Sequence, residues 1–249
     1  MLSLIISKKK IGVISGALLA FILTGSFLLV NAASSARKLP IYSVKTEKKV
    51  VCLTFDGAWG NSDIPLIMQA LKKDDIPATF FFTGGFADKF PDDIKKLSDA
   101  GHEIGNHSDS HPHMAKMSAE EIAADISKAN DKLEKITGKK PAAFRVPYGE
   151  YNDLVIQTVS SLGMFCIQWD VDSRDWKPEY TKEKIISGVL NHAAPGSIIL
   201  MHCDADFTAE ALPEIILSLK SQGFEFVTVS ELIYKDNFRI DNAGKQIPN

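Results

Sequence analysis

The sequence predicts a single α/β domain wound as a (β/α) barrel rather than an open doubly wound sheet, behind an N-terminal membrane-targeting segment. Three observations predict it. From residue 50 onward, apolar runs alternate with longer amphipathic stretches, about seven times over roughly 190 residues, which is the pattern of βα units. The runs are nearly continuous in Val, Ile and Phe, as in parallel strands covered on both faces. No glycine-rich dinucleotide fingerprint follows the first run, which disfavours a cofactor-binding open sheet.

In chain order, Lys8, Lys9 and Lys10 precede about twenty uncharged, mostly apolar residues, Ile11 to Val30. That length spans a bilayer, and lysines ahead of it predict a cytoplasmic N-terminus and an exported remainder. Val30-Asn31-Ala32 also fits a signal-peptide cleavage pattern, so residues 1–32 read as a single-pass anchor, with cleavage and secretion as the alternative. Residues 33–48 are polar, carry one proline and read as a linker. Residues 49–235 form the predicted domain, and 236–249 read as a loose polar tail.

Within the domain the strand-like runs are 50–56, 78–83, 102–106, 142–146, 164–170, 196–202 and 224–229. Helices fill the gaps. Asp63 is placed to cap one through Lys73, and Pro91 opens another that Gly101 ends. Ser118 and Glu121 have capping-box spacing, with Gly138 as the stop, and Thr208 to Gly223 encloses a further helix.

Charge and cysteines narrow the function. The formal charge is −3, and the three N-terminal lysines contribute +3, so the rest carries −6. An acidic exported domain is a poor partner for nucleic acid, whose binding depends on neutralising phosphates. Cys52, Cys166 and Cys203 all lie in or beside apolar runs and read as buried small hydrophobes, not a disulfide framework.

Chemistry in such a barrel gathers at the C-terminal ends of strands, and the reactive side chains fall there. Asp56 ends the first run; His107 and His111 follow the third; Arg145 and Tyr148 end the fourth. Asp172, Asp175 and Trp176 follow the fifth, and His202 ends the sixth. His107 and His111 have H-x3-H spacing, which suits a metal pair on one helix face, although Pro112 favours a turn at His111. Two structural polar histidines are the alternative reading. Arg145, costly to bury alone, calls for a carboxylate partner. His102 and His113 read as structural or exposed, His192 as uninvolved, and Trp59 and Trp169 as packing or pocket walls.

The motifs "TFDGAWGN", "GHEIGNHSDSHPHM", "FRVPYG", "WDVDSRDW" and "SIILMH", in this order, resemble the polysaccharide deacetylases of carbohydrate esterase family 4, the NodB-homology domain. The likeness covers about residues 48–235 and is similar to the sporulation-associated branch. It implies a distorted barrel of seven or eight βα units that removes N-acetyl groups from amino sugars of peptidoglycan-type wall polysaccharide. It also implies roles: Asp56 as general base, His107 and His111 as ligands of a divalent metal (zinc, with cobalt or manganese as alternatives), and Arg145 orienting Asp56. The backbone N–H of Tyr148 serves the oxyanion, His202 is the general acid, and Asp175 fixes its tautomer. Trp176, Leu200 and Pro147 contact substrate. Gly57 departs from the family pattern, which places a second, metal-binding aspartate there; Asp63 and Asp109 are the alternative carboxylates. A wall-glycan binding protein with little turnover, or a hydrolase of another amide or imide, are the competing expectations.

Overall fold

Alternation in one strand decides the orientation of the site. The structure, a computed structural model, describes residues 37–249, so the anchor or signal segment at 1–32 lies outside the described residues. After a short β1 (Ser43–Val44), the first long apolar run forms β2 (Val50–Gly57). Its Val51, Leu53 and Phe55 point outward into the main core with Phe80 and Phe82. Cys52 points to the other face with Phe81 and Ile198. By the two-residue period of a strand, Thr54 and Asp56 share that inner face.

The other elements are α1 (Ile64–Lys73), β3 (Thr79–Phe82), α2 (Gly84–Lys89), α3 (Pro91–Asp99), β4 (Glu103–Asn106), α4 (Ala119–Thr137), β5 (Ala143–Phe144) and α5 (Asp153–Ser161). Then follow β6 (Phe165–Cys166), β7 (Val171–Asp172), α6 (Lys182–Leu190), β8 (Ile198–His202), α7 (Thr208–Ser221), β9 (Glu225–Phe226), α8 (Val229–Leu232), β10 (Phe238–Ile240) and β11 (Lys245–Pro248). The main sheet runs β6-β5-β4-β3-β2-β8-β7, with β9 against the start of β2, and every pairing is parallel.

The capping box at Ser118 and Glu121 is formed, and Gly138 ends α4 with a left-handed φ of 74°. Asp63 stands at the N-cap of α1, but its side chain makes no cap there; it accepts from the Asp204 N–H instead. Of the run 164–170 only Phe165–Cys166 is strand, β6, and β7 follows the run at Val171–Asp172. The backbone between them is diverted: the Gln168 carbonyl accepts from Arg145, and the Asp170 carboxylate receives the Ile198 N–H.

The barrel expectation is met only in part. The sheet is a curled parallel half-barrel whose ends, β6 and β7, are not paired with each other. Residues 41–44, expected to be linker, line this seam. Ile41 N–H donates to Cys166 O (2.9 Å), Gln168 N–H donates to Ile41 O (2.7 Å), and Val44 N–H donates to Gly196 O (2.9 Å). The tail is also ordered, in contrast to the sequence expectation. β10 and β11 form a hairpin whose second strand pairs in parallel with β1. Gln246, fully buried, fixes it by two bonds to the Tyr234 backbone (2.7 and 2.8 Å). Strands as short as these do not stand out in the sequence and are specified by pairing.

Ile41 and Val44 are buried in the seam, each contributing ~1.5–3 kcal/mol by burial. A chain beginning at Lys49 is therefore expected to unfold at clearly lower urea concentration than one beginning at Arg37. Coincident urea midpoints for the two would contradict the seam's structural role.

Candidate active site

Arg145 is fully buried just after β5, and its two terminal nitrogens are paired while its Nε has no partner among the described residues. Its Nη1 donates to Asp56 Oδ1 and to Thr54 Oγ1, both at 2.8 Å, and Nη2 donates to Gln168 O at 3.1 Å. The guanidinium lies 4.2 Å from the centroid of the Phe81 ring. Burial alone would raise the Asp56 pKa, but Arg145, then His107 and His202, outweigh it and hold the carboxyl below its ordinary range. Asp56 is thus an ionised acceptor at neutral pH.

Two imidazoles stand beside it. His107 follows β4, and its Nδ1 lies 2.8 Å from Arg145 O. A carbonyl only accepts, so Nδ1 carries the hydrogen and Nε2 presents a lone pair. That Nε2 is 3.7 Å from Asp56 Oδ2. Burial lowers the His107 pKa despite Asp56. His111 sits in a turn with φ 55°, consistent with the effect of Pro112, and its N–H is fixed by Ser108 Oγ at 2.9 Å. Burial, followed by His107, lowers its pKa to about 4. Its Nδ1 is buried without a partner among the described residues. Both rings are neutral at pH 7, and their centroids are 5.0 Å apart.

The opposite wall is β8. In register, Asp56 pairs with His202, so both side chains face the same cleft. His202 Nδ1 donates to Asp175 Oδ1 at 2.7 Å, which leaves Nε2 toward the cleft. Asp175 Oδ2 accepts from His202 N–H (2.7 Å) and Thr208 Oγ1 (2.5 Å). Burial would lower the His202 pKa, but Asp175, with Asp56 and Asp172, raises it. One cleft therefore holds an ionised carboxylate and an imidazole biased toward its protonated form.

The cleft has a volume of about 610 Å³, and Asp56, His107, His111, Tyr148, Asp175, Trp176, Leu200 and His202 all line it. Leu200 is a buried wall, whereas Trp176 is mostly exposed. Tyr148 adopts a left-handed φ of 59° and stacks on His113; such strain concentrates at functional sites. Pro147 is buried in the turn Pro147–Gly149, between Val146 and Tyr148, which line the cleft. Trp59, read from sequence as packing or a pocket wall, is a wall and is widely exposed. Thr54, Gln168 and Thr208 went unnoticed in the sequence, because nothing distinguishes a supporting hydroxyl or carbonyl from its neighbours.

Beyond Asp56, no carboxylate joins the histidine pair among the described residues. Among the described residues, no cluster of three metal-type side chains is present. Asp109 is taken by Lys128 and Lys132, each at 2.6 Å, and Asp63 by the Asp204 N–H at 2.7 Å. At Gly57 a Cβ would lie 2.5 Å from the Phe82 ring. The place of a side chain at 57 is filled by phenyl.

Fold and site together define a class: a curled parallel α/β domain with a paired carboxylate and imidazole at the ends of adjacent strands. The sequence profile described as Polysaccharide deacetylase matches residues 43–167, and the chain belongs to this family, carbohydrate esterase family 4. It is 35% identical over 202 residues to the peptidoglycan-N-acetylmuramic acid deacetylase PdaA of Bacillus subtilis, covering 80% of this chain and 77% of that protein. It is 35% identical over 195 residues to the peptidoglycan-N-acetylglucosamine deacetylase of Bacillus cereus, covering 77% and 70%. Of PdaC from Bacillus subtilis it spans only 40%. The crystal structure of BA3943, described as a CE4 family pseudoenzyme from Bacillus anthracis, superposes with a TM-score of 0.75 at 36% identity, covering 84% of this chain and 73% of that one.

Removing one partner of a buried ion pair leaves the other uncompensated, at a cost of ~3–5 kcal/mol. Arg145→Met is expected to show that loss in chemical denaturation, and an unchanged midpoint would contradict it. Gly57→Asp is expected to destabilise by ~1–3 kcal/mol through overpacking against Phe82. Combination with Phe82→Leu should recover part of that loss; no recovery would show that Phe82 is not the obstacle.

Proposed function

We propose that the protein hydrolyses N-acetyl groups on amino sugars of peptidoglycan-type wall polysaccharide. The observation that carries this is the pairing of ionised Asp56 with carboxylate-backed His202 across one cleft. The names of the relatives supply the substrate class. In this mechanism Asp56 takes a proton from the attacking water as it adds to the amide carbon. The Tyr148 N–H supports the charge on the former carbonyl oxygen. An amine leaves poorly as an anion, so His202 Nε2 delivers a proton to the nitrogen. Asp175 keeps the opposite nitrogen, Nδ1, protonated and the imidazolium stabilised, as the aspartate of a Ser-His-Asp triad does. Leu200 and Trp176 wall the acetyl methyl.

His107 and His111 fit a divalent metal. Both are neutral; one presents a bare Nε2 toward an anionic carboxylate, and the other has a buried unpartnered nitrogen. Two facing lone-pair donors call for a shared cation or proton. A bound zinc, with cobalt or manganese as alternatives, supplies Lewis acidity and can lower the pKa of water to ~7.

The N-terminal sequence supports export with a membrane tether, or secretion after cleavage, which places the domain beside the wall; the sporulation-type motifs suggest the stage. A second reading, glycan binding with little turnover, is favoured by Gly57 and by the likeness to a pseudoenzyme. Acetate release from peptidoglycan, after chelation and again with added metal, separates the two: release supports hydrolysis, and none from a folded protein supports binding.

Asp56→Asn should lower turnover by ~10²–10⁴-fold; undiminished acetate release would remove Asp56 from the mechanism. The pH profile follows from the shifts. Asp56 must be ionised and the two ligand histidines neutral, and all three have lowered pKa values, so activity survives below the ordinary histidine range. His202 must be protonated, and its pKa is raised, so activity falls only as pH climbs through that raised value. Asp175→Asn removes the main cause of the raise and should move the alkaline limb to lower pH. A limb that stays in place would contradict the assignment of His202 as the acid.

A further inference from the structure

Trp59 is the largest apolar group the site leaves unexplained. It is 68% exposed, yet its loop is not loosely attached. A Cβ on Gly60 would lie 1.9 Å from Asp204 Oδ2, so the loop passes in close contact with that carboxylate. Ser62 Oγ donates to Asp204 Oδ1 (2.6 Å), and Asp204 N–H donates to Asp63 Oδ1 (2.7 Å). On the other side Asn61 Nδ2 donates to Asp93 Oδ2 (2.7 Å). The β2–α1 loop is thereby tied both to α3 and to the loop that follows His202. Its indole meets the His111 ring at 5.0 Å, and Tyr148 meets the same ring at 4.4 Å. Trp59 therefore continues the wall of the reaction cleft outward, on a fixed support.

A mostly exposed indole gains little in the free protein. Against a pyranose it presents an electron-rich face to the sugar's C–H groups, and an aromatic already held in place costs little entropy to engage. The cleft of about 610 Å³ is far larger than an acetyl group needs, and Asp204 and Asp206 on its lining can accept sugar hydroxyls. Resting on the function proposed above, we infer that Trp59 is a stacking platform for a sugar unit next to the one that reacts, so that the cleft selects a glycan strand over a short fragment.

The test uses peptidoglycan backbone freed of peptides, as disaccharide and octasaccharide. Binding is measured by calorimetry to the Asp56→Asn protein, where turnover does not interfere, with and without Trp59→Ala or Trp59→Phe. The octasaccharide should bind more tightly than the disaccharide, and Trp59→Ala should cut that advantage about tenfold. Trp59→Phe should keep part of it. No length preference in the parent, or the same preference in Trp59→Ala, overturns the inference. Acetate release by the unmutated protein, measured on the same strands, separates this from the functional reading. Length-dependent binding through Trp59 without release would leave the platform standing and the hydrolase reading refuted.

Discussion

The structure depends on one buried guanidinium. Arg145 has no water to solvate it, and an unpaired cation in such a place is prohibitively costly. Its neighbours therefore have little freedom: Asp56 must be ionised, Thr54 must accept, and the Gln168 carbonyl must turn out of the β6 ladder. The same residue's backbone carbonyl sets the His107 tautomer. One side chain and one carbonyl thus fix the charge of Asp56 and the free nitrogen of an adjacent imidazole.

Parallel pairing supplies the rest. Because β2 and β8 run in register, Asp56 and His202 arrive at the same level and on the same face without any loop having to bring them together. Loops then add what strands cannot: the left-handed turn at Tyr148, the Asp175 carboxylate behind His202, and the pinned loop that carries Trp59. The two halves of the site have opposite electrostatic bias. Around Arg145 the pKa values of Asp56, His107 and His111 are lowered, and around Asp175 that of His202 is raised.

Much of this was legible in the sequence. The apolar runs locate the long central strands, and reactive residues at run ends mark Asp56, Arg145 and His202 before any coordinates. The capping box of α4 and its glycine stop are local signals and are formed as written. What escaped was non-local or featureless. β1, β10 and β11 are short and do not stand out, so they read as linker and tail. That Pro147 is buried in its turn follows from the backbone path and not from the motif. Gly57 reads as a missing ligand in sequence; that Phe82 occupies the space is a packing fact. Trp59 gives the same signal whether it packs inside or faces a cleft.

Burial and partners set the histidines to different protonation states. Histidine ring-nitrogen NMR across pH on metal-free protein tests it directly. His202 should titrate above the ordinary value of ~6.5, while His107 stays neutral with hydrogen on Nδ1 well below it. His202 titrating at or below the ordinary value, or His107 protonating near it, would mean that Asp175 and burial do not set these states.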